Sequence, residues 1–135
     1  MEELLLYTDG GARGNPGPAA LGLVIYDQTK KLLEYKQTLG VATNNIAEYS
    51  ALIKGLTLAE QFKPKHLKCY SDSELLIRQM KGIYKVRAPH ILELFKKVKE
   101  KEFYFEKVTY HHVNRTNPFI GEADRLVNEA LDEKK

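Results

Sequence analysis

The amino-acid sequence predicts an α/β fold in which helices flank one mixed five-stranded sheet. Three short apolar runs come first, and the connections between them are too short to hold a helix. Such runs are typical of an antiparallel meander. Segments with helical periodicity then alternate with two further apolar runs, which indicates parallel strands joined by helical crossovers. The predicted order of elements is βββαβααβα, with three antiparallel strands followed by two parallel strands.

The first three strands are predicted from apolar runs that end at turn residues. Residues 4–8 are followed by the turn sequence Asp-Gly-Gly at residues 9–11. A second turn cluster at residues 14–18 precedes the apolar run 20–26, and residues 32–39 form a weaker third run. Glycine, proline and asparagine favour turns for specific backbone reasons, so these clusters mark where the strands end.

After the third strand the apolar residues recur at helical spacing, which predicts a helix over residues 45–61. Asn45 and Glu48 stand three residues apart, as an N-cap and its N3 partner would. Ser71 and Glu74 have the same spacing at the start of a later helix. The remaining strands are predicted over residues 67–70 and 108–113. The remaining helices are predicted over residues 71–82, 89–98 and 122–131.

Length and composition predict one globular domain over residues 1–135. Apolar residues make up 43% of the chain and charged residues 29%, which excludes a disordered or collagen-like chain. The acidic start of the chain does not resemble a signal peptide, and no apolar run reaches the roughly 20 residues that span a bilayer. Cys69 is the single cysteine and cannot form an internal disulfide. We therefore expect a cytoplasmic protein that is not embedded in a membrane.

The positive charge is concentrated in the middle of the chain. The net charge is +3, but residues 63–107 carry 12 Lys or Arg against 6 Asp or Glu, which gives +6. Residues 1–62 and 108–135 are weakly acidic, at −2 and −1. A basic middle segment indicates either a surface that faces phosphates or ordinary helices with solvated lysines, and charge alone leaves both open.

Four carboxylates lie at the ends of predicted elements. Asp9 and Asp72 follow the first and fourth strands, whereas Glu48 and Asp124 fall in the first turns of predicted helices. Each acid alone could serve a turn or a helix cap. If the first and fourth strands are neighbours, however, Asp9 and Asp72 lie side by side and repel each other unless a cation holds them. Clustered carboxylates favour Mg²⁺ or Mn²⁺, and no His/Cys cluster has zinc spacing.

Four sequence blocks together resemble type 1 ribonuclease H, and the resemblance covers nearly the whole chain. They are Tyr-Thr-Asp-Gly-Gly with Gly-Asn-Pro-Gly-Pro in residues 7–18, Thr-Asn-Asn-Ile-Ala-Glu-Tyr in 43–49, Ser-Asp-Ser in 71–73 and Glu-Ala-Asp-Arg-Leu in 122–126. The resemblance implies a ribonuclease H-like fold and an endonuclease that cuts the RNA strand of RNA–DNA hybrids. It also implies that two Mg²⁺ or Mn²⁺ ions, held by Asp9, Glu48, Asp72 and Asp124, produce 5′-phosphate and 3′-hydroxyl ends.

The resemblance also suggests which residues bind the substrate. Asn15, Asn44 and Asn45 match positions that read the minor groove, and an amide can donate to and accept from a 2′-hydroxyl. Thr43 matches a position that contacts a DNA phosphate. Glycine lets the backbone approach a ligand closely. The predicted substrate-binding residues are Gly10, Gly11, Asn15, Thr43, Asn44, Asn45, Ser73, Lys85, Arg87 and Arg115.

The sequence departs from the family pattern near its end. Residues 114–121 contain no histidine, so the chain is similar to a subgroup that lacks the loop histidine and has an arginine, here Arg115. That subgroup usually has an asparagine four residues before the final aspartate. This chain has Ile120 there and Asn117 further upstream, which predicts a lengthened or rearranged loop. His111 and His112 precede the loop, and we expect packing or surface roles for both.

The long members of the family carry an additional basic helix and loop, for which residues 81–89 are too short. We expect Lys85 and Arg87 to hold the DNA strand instead. Two other functions remain open: a related nuclease for double-stranded RNA or junctions, and a non-catalytic nucleic-acid-binding module. The Thr-Asn-Asn block at residues 43–45 argues for a hybrid, and the presence of all four acids argues for catalysis. We expect a monomer with no protein partner.

Overall fold

Five strands form one mixed sheet in the computed structural model, which describes residues 1–133. The spatial order is β3-β2-β1-β4-β5; the first three strands are antiparallel, and β4 and β5 run parallel to β1. The predicted fold class and order of elements are therefore confirmed. The strands are β1 Glu3–Ala12, β2 Gly17–Tyr26, β3 Lys31–Ala42, β4 His66–Ser71 and β5 Lys107–His112.

Helices cover both faces of the sheet. They are α1 Asn44–Ala59, followed by a 3₁₀ turn Glu60–Phe62, α2 Glu74–Met80, α3 Pro89–Glu102 and α4 Pro118–Glu133. Successive residues of a strand point to opposite faces of the sheet. Leu4 and Leu6 of β1 point to the face that α1, α2 and α3 cover, and they pack in the core there. Tyr7 points to the other side and packs with Ile120 and Leu126 of α4. Within residues 1–133 no helix is long and apolar enough to cross a membrane.

The first strand is longer than predicted. Asp9, Gly10 and Gly11 do not form a turn, because they continue to pair with β2 as far as Ala12. The pairing of β1 with β4 ends earlier, at Tyr7 opposite Tyr70. Beyond that point the two parallel strands separate, which opens a cleft at their carboxyl ends.

The predicted caps of two helices are wrong by two residues. Thr43, rather than Asn45, caps α1: the Thr43 Oγ1 accepts a hydrogen bond from the amide of Ile46 at 3.2 Å. Ser73 caps α2 by accepting from the amide of Leu76, also at 3.2 Å. Thr, Ser and Asn all make good caps, so the backbone conformation selects among them.

Helix α4 begins four residues earlier than predicted. The Asn117 Oδ1 accepts from the amides of Phe119 and Ile120 at 2.9 Å and 3.2 Å, and Pro118 occupies the first helical position. Asparagine followed by proline is a known helix start. The expected lengthened loop is therefore partly an extra turn of helix, and Asp124 lies in the second turn rather than the first. The Phe119 ring packs on Tyr7, with 5.1 Å between the ring centroids.

Two glycines let helices touch the backbone of the sheet. A β-carbon at Gly10 would lie 2.2 Å from the carbonyl oxygen of Ala47 in α1. A β-carbon at Gly22 of β2 would lie 2.4 Å from the carbonyl oxygen of Ala123 in α4. Ala47 and Ala123 each precede one of the predicted site acids, so both contacts bring an acid to the sheet.

We expect Gly22→Ala to lower the free energy of unfolding by about 1–3 kcal/mol, because the added methyl group pushes α4 away from β2. Urea unfolding followed by circular dichroism measures this change. Gly121→Ala is the matched control, since a β-carbon there meets no atom within 4 Å and alanine favours a helix. Equal unfolding midpoints for Gly22→Ala and the wild type would contradict the close contact.

Candidate active site

Three carboxylates converge where β1 and β4 separate. Asp9 lies two residues beyond Tyr7 in β1, and Asp72 lies two residues beyond its partner Tyr70 in β4. Glu48 reaches the same point from α1. One carboxylate oxygen from each of these acids lies within 4.8 Å of the other two. The parallel pairing of the first and fourth strands thus brings Asp9 and Asp72 together, as the sequence predicts for neighbouring strands.

The side chain of Glu48 is fixed by the sheet and not by its own helix. Its Oε1 accepts a hydrogen bond of 3.0 Å from the amide of Gly10, a residue 38 positions away in sequence. The alternative explanation, that Glu48 only completes a helix cap, does not agree with this contact. Because Gly10 also lies against Ala47, the same residue positions both the helix and its carboxylate.

Asp124 joins this cluster from the opposite face of the sheet. It lies outside the group of three converging acids, but it is near enough to help raise the pKa of the Asp9 carboxyl. All four acids line one cleft, together with Gly10, Gly11, Ala12, Arg13, Asn44, Arg115, Ile120, Gly121, Val127, Asn128 and Leu131.

Burial and mutual repulsion perturb the carboxylates. Burial, together with the charges of Asp72 and Asp124, raises the pKa of Asp9 to about 8, although a hydrogen bond from Gly10 opposes the shift. Burial and the charges of Asp9 and Asp72 likewise raise the pKa of Glu48 well above its usual value. A divalent cation would relieve this repulsion, and a set of carboxylate oxygens is the ligand type that Mg²⁺ and Mn²⁺ prefer.

Arg115 is the cation beside this cluster. Its Nε lies 3.9 Å from the Asp72 Oδ2, and 91% of its side chain is exposed. An exposed ion pair at this distance contributes little to stability, about 0–1 kcal/mol. The guanidinium is therefore accessible to a ligand in the cleft.

Two of the predicted asparagines connect the turn after β1 to the start of α1. The Asn44 Oδ1 accepts from the amide of Ala12 at 2.9 Å, and the Asn15 Oδ1 accepts from the amide of Asn44 at 3.0 Å. Both side-chain carbonyl groups are thus engaged within the protein. Their amide NH₂ groups remain as donors.

The other predicted substrate-binding residues have varied positions. Gly10 and Gly11 both line the cleft. A β-carbon at Gly10 would collide with the backbone of α1, whereas a β-carbon at Gly11 would meet only the Val127 side chain, at 3.8 Å. Thr43 and Ser73 cap helices, Asn45 lies in the first turn of α1, and Lys85 and Arg87 are exposed between α2 and α3. None of these five residues lines the cleft. Their contacts with substrate stay predictions.

Sequence reasoning missed Arg13, which lines the cleft. Its Nη1 lies 2.8 Å from the Asp132 Oδ1, and its Nη2 donates to the Asn128 Oδ1 at 3.3 Å. These contacts hold a guanidinium group at the end of the cleft formed by α4. A basic residue between the glycine pair at residues 10–11 and the turn cluster at residues 14–18 was the available signal.

The raised carboxylate pKa values predict how stability depends on pH without metal. The folded state holds more protons than the unfolded state between about pH 4 and pH 8, so stability falls as the pH rises through that window. In EDTA, the free energy of unfolding should fall between pH 5 and pH 8 in both proteins. We expect the wild type to lose about 2 kcal/mol more of it than Asp9→Asn does. Urea unfolding at both pH values measures the difference.

Asp27→Asn is the matched control for this experiment. Asp27 lies in the exposed turn between β2 and β3, where hydrogen bonds from the backbone amides of Lys30 and Thr29 lower the pKa of the Asp27 carboxyl. Its protonation does not change between pH 5 and pH 8, so the control should keep the pH dependence of the wild type. If Asp9→Asn also keeps it, Asp9 does not hold a proton in this window.

Comparison with known proteins shows the family. The Reverse transcriptase-like family matches residues 7–130. A bifunctional protein of Mycobacterium tuberculosis is 39% identical over 132 residues, which is 96% of this chain but 36% of that protein. This chain therefore spans about a third of the length of the mycobacterial relative. Ribonuclease HI of Halobacterium salinarum is 40% identical over 131 residues, covering 94% of this chain and 63% of the relative.

A solved structure extends this similarity to three dimensions. LC11-RNase H1, whose crystal structure contains an RNA/DNA hybrid, is 40% identical and superposes with a TM-score of 0.90. The match covers 97% of this chain and 98% of that one. The family match, the sequence identity and the shared fold agree, and the chain belongs to the type 1 ribonuclease H family.

Proposed function

We propose that this chain is a metal-dependent endonuclease that hydrolyses the RNA strand of RNA–DNA hybrids. The observation that carries the proposal is the group of three buried or half-buried carboxylates whose oxygens lie within 4.8 Å of one another. Such a group is costly for a folded protein unless it binds cations. It lies in an open cleft with donors on its walls, as a site for a phosphodiester requires.

Asp9, Glu48, Asp72 and Asp124 are the proposed ligands of two Mg²⁺ or Mn²⁺ ions. When bound, such ions lower the pKa of a water and stabilise charge on the leaving oxygen. In the proposed reaction a water oxygen bonds to phosphorus while the bond from phosphorus to the 3′-oxygen breaks. The products are a 5′-phosphate and a 3′-hydroxyl, and no side-chain nucleophile is needed.

The protein contributes fixed positions for these charges. The hydrogen bond from the Gly10 amide orients Glu48, and the contact of α4 with Gly22 sets how close Asp124 comes to the sheet. Arg115 is proposed to bind a phosphate oxygen, because its guanidinium is exposed beside Asp72. Preorganised charges of this kind need no rearrangement when the substrate reacts.

Selection of a hybrid is proposed to depend on Asn15 and Asn44. Because their carbonyl groups are engaged inside the protein, their NH₂ groups can donate to the oxygen of a 2′-hydroxyl. DNA lacks that hydroxyl, so such contacts favour an RNA strand. The RNA/DNA hybrid in the LC11-RNase H1 crystal structure supports the same substrate class for this chain.

We expect Asp72→Asn to fold normally but to lower Mg²⁺-dependent cleavage of a hybrid by at least about 100-fold, because several kcal/mol of transition-state stabilisation are lost. Gel assays on hybrid, RNA and DNA duplexes of one sequence measure activity and specificity. Asp27→Asn makes the same chemical change far from the cleft and should keep full activity. Full activity of Asp72→Asn would refute the assignment of the metal ligands.

The substitution Asn44→Asp tests the role of the Asn44 NH₂ group separately from that of its carbonyl oxygen. It keeps an oxygen for the amide of Ala12 but loses the NH₂ donor. In an Asp124→Asn background, which prevents cleavage, we expect affinity for a hybrid to fall about 10-fold relative to affinity for a DNA duplex. Fluorescence anisotropy measures both affinities.

The control for the added charge is Asn117→Asp, since aspartate caps α4 as well as asparagine does. Repulsion by a new charge weakens binding of both duplexes alike, so it does not change their ratio. An unchanged ratio for Asn44→Asp would therefore exclude a contact between Asn44 and a 2′-hydroxyl.

A further inference from the structure

A second recess adjoins the acid cluster on the side of β5. Its volume is about 330 Å³, and its lining residues are Glu48, Asp72, Ser73, His112, Val113, Asn114 and Arg115. Three of these, Glu48, Asp72 and Arg115, also line the cleft. The two hollows therefore meet at the acids, and a nucleic-acid strand whose phosphate lies on the acids can continue into either of them.

The side chains of this recess present donors. The Ser73 Oγ accepts from the amide of Leu76 at 3.2 Å, which leaves its hydroxyl proton free to donate. The Asn114 Oδ1 accepts from the amide and the hydroxyl of Thr116 at 3.0 Å and 3.2 Å, which leaves its NH₂ group. Apart from Glu48 and Asp72 at one edge, no carboxylate of residues 1–133 lines the recess. Away from these two acids, the donors of Ser73 and Asn114 fit an anion.

The two neighbouring histidines differ in their environment. His111 stacks on Tyr70, with 5.0 Å between the ring centroids, and its Nε2 lies 2.8 Å from the Thr109 Oγ1. His112, the last residue of β5, points to the opposite face of the sheet, is exposed and lines the recess. Among residues 1–133, none forms a hydrogen bond or ion pair with the His112 imidazole. A packing role therefore fits His111, whereas the His112 imidazole is available to a ligand.

We propose that Ser73, His112 and Asn114 form a subsite for a phosphate of the RNA strand adjacent to the scissile phosphate, with His112 as the main donor. The proposal rests on the proposed function, which lays the scissile phosphate over the acids. The neighbouring phosphate belongs to the same strand. Arg115 lies at the boundary of the two hollows, where it can reach either phosphate.

The first test measures binding without cleavage. In an Asp124→Asn background with Mg²⁺, fluorescence anisotropy gives the Kd for an RNA–DNA hybrid. We expect His112→Ala to raise that Kd about 5- to 20-fold, since it removes a hydrogen bond to a charged group. His112→Gln retains an N–H donor at a similar distance and should bind within about two-fold of the background protein.

His66→Ala is the control for the loss of a histidine. His66 is the first residue of β4, at the opposite end of that strand from Asp72, and it lies outside both hollows. Its Nε2 contacts the Thr109 Oγ1 at 2.7 Å, so the control also removes a side-chain contact on the sheet. We expect the Kd of His66→Ala to stay within about two-fold.

A second test locates the phosphate. A series of hybrids is used, and each carries one uncharged methylphosphonate linkage at a different position of the RNA strand. A 2′-deoxy sugar next to the linkage keeps it stable. Matched hybrids carry the same deoxy sugar and a normal phosphate. One linkage beside the scissile position should weaken binding in the background protein but cause no further loss in His112→Ala. At other positions, the binding free energy lost through the methylphosphonate and that lost through His112→Ala should add, as they do for independent sites.

The outcomes separate this proposal from the proposed function. Suppose that the wild type cleaves the hybrid. The subsite is then wrong, and the nuclease assignment stands, if His112→Ala does not change the Kd. The same holds if the affinity lost through His112→Ala adds to the affinity lost through the methylphosphonate at every position. If the wild type neither cleaves nor binds a hybrid, both are overturned. The subsite is established if His112→Ala raises the Kd, His112→Gln keeps it, and the methylphosphonate beside the scissile position causes no further loss of affinity in His112→Ala.

Discussion

The acid cluster depends on two places where a helix touches the backbone of the sheet. At Gly10 and Gly22 a β-carbon would come within 2.2 Å and 2.4 Å of a helix carbonyl oxygen, so the main chains themselves are in contact. Gly22 is also the pairing partner of Asp9 across β1 and β2. Backbone contacts have no side-chain rotamers through which they could relax. They therefore hold Glu48 and Asp124 close to Asp9 although the carboxylates repel one another.

This proximity has an energetic cost that the core must offset. Burial and neighbouring charge raise the pKa of Asp9 to about 8, so without a cation the folded protein favours a protonated site. The fully buried side chains between the sheet and α1, such as Leu6, Leu52 and Leu56, each contribute about 1.5–3 kcal/mol through burial. The fold can thus keep acids at a spacing that suits cations rather than its own stability, as is common at functional sites.

The sequence predicts the elements and their order well, because apolar runs and turn residues are local signals. It predicts helix starts poorly, since Thr43 and Asn45 are both capable of capping and only the path of the chain from β3 selects Thr43. The hydrogen bond between Gly10 and Glu48 joins residues 38 positions apart, so no local pattern reveals it. Likewise, His111 and His112 are equivalent in sequence, and only their alternation along β5 separates a stacked histidine from an exposed one.

The hydrogen bonds that fix the loops also decide what the surface around the acids can bind. Asn44 and Asn15 on one side, and Asn114 on the other, use their carbonyl oxygens to hold backbone amides of the protein. Each bond orders a turn and at the same time removes an acceptor from the surface. What remains exposed is a set of N–H groups beside the carboxylates. Under the proposed function, a strand with anionic phosphates and hydroxyl oxygens complements both parts once cations neutralise the acids. The proposed specificity then depends on how the loops satisfy their own backbone.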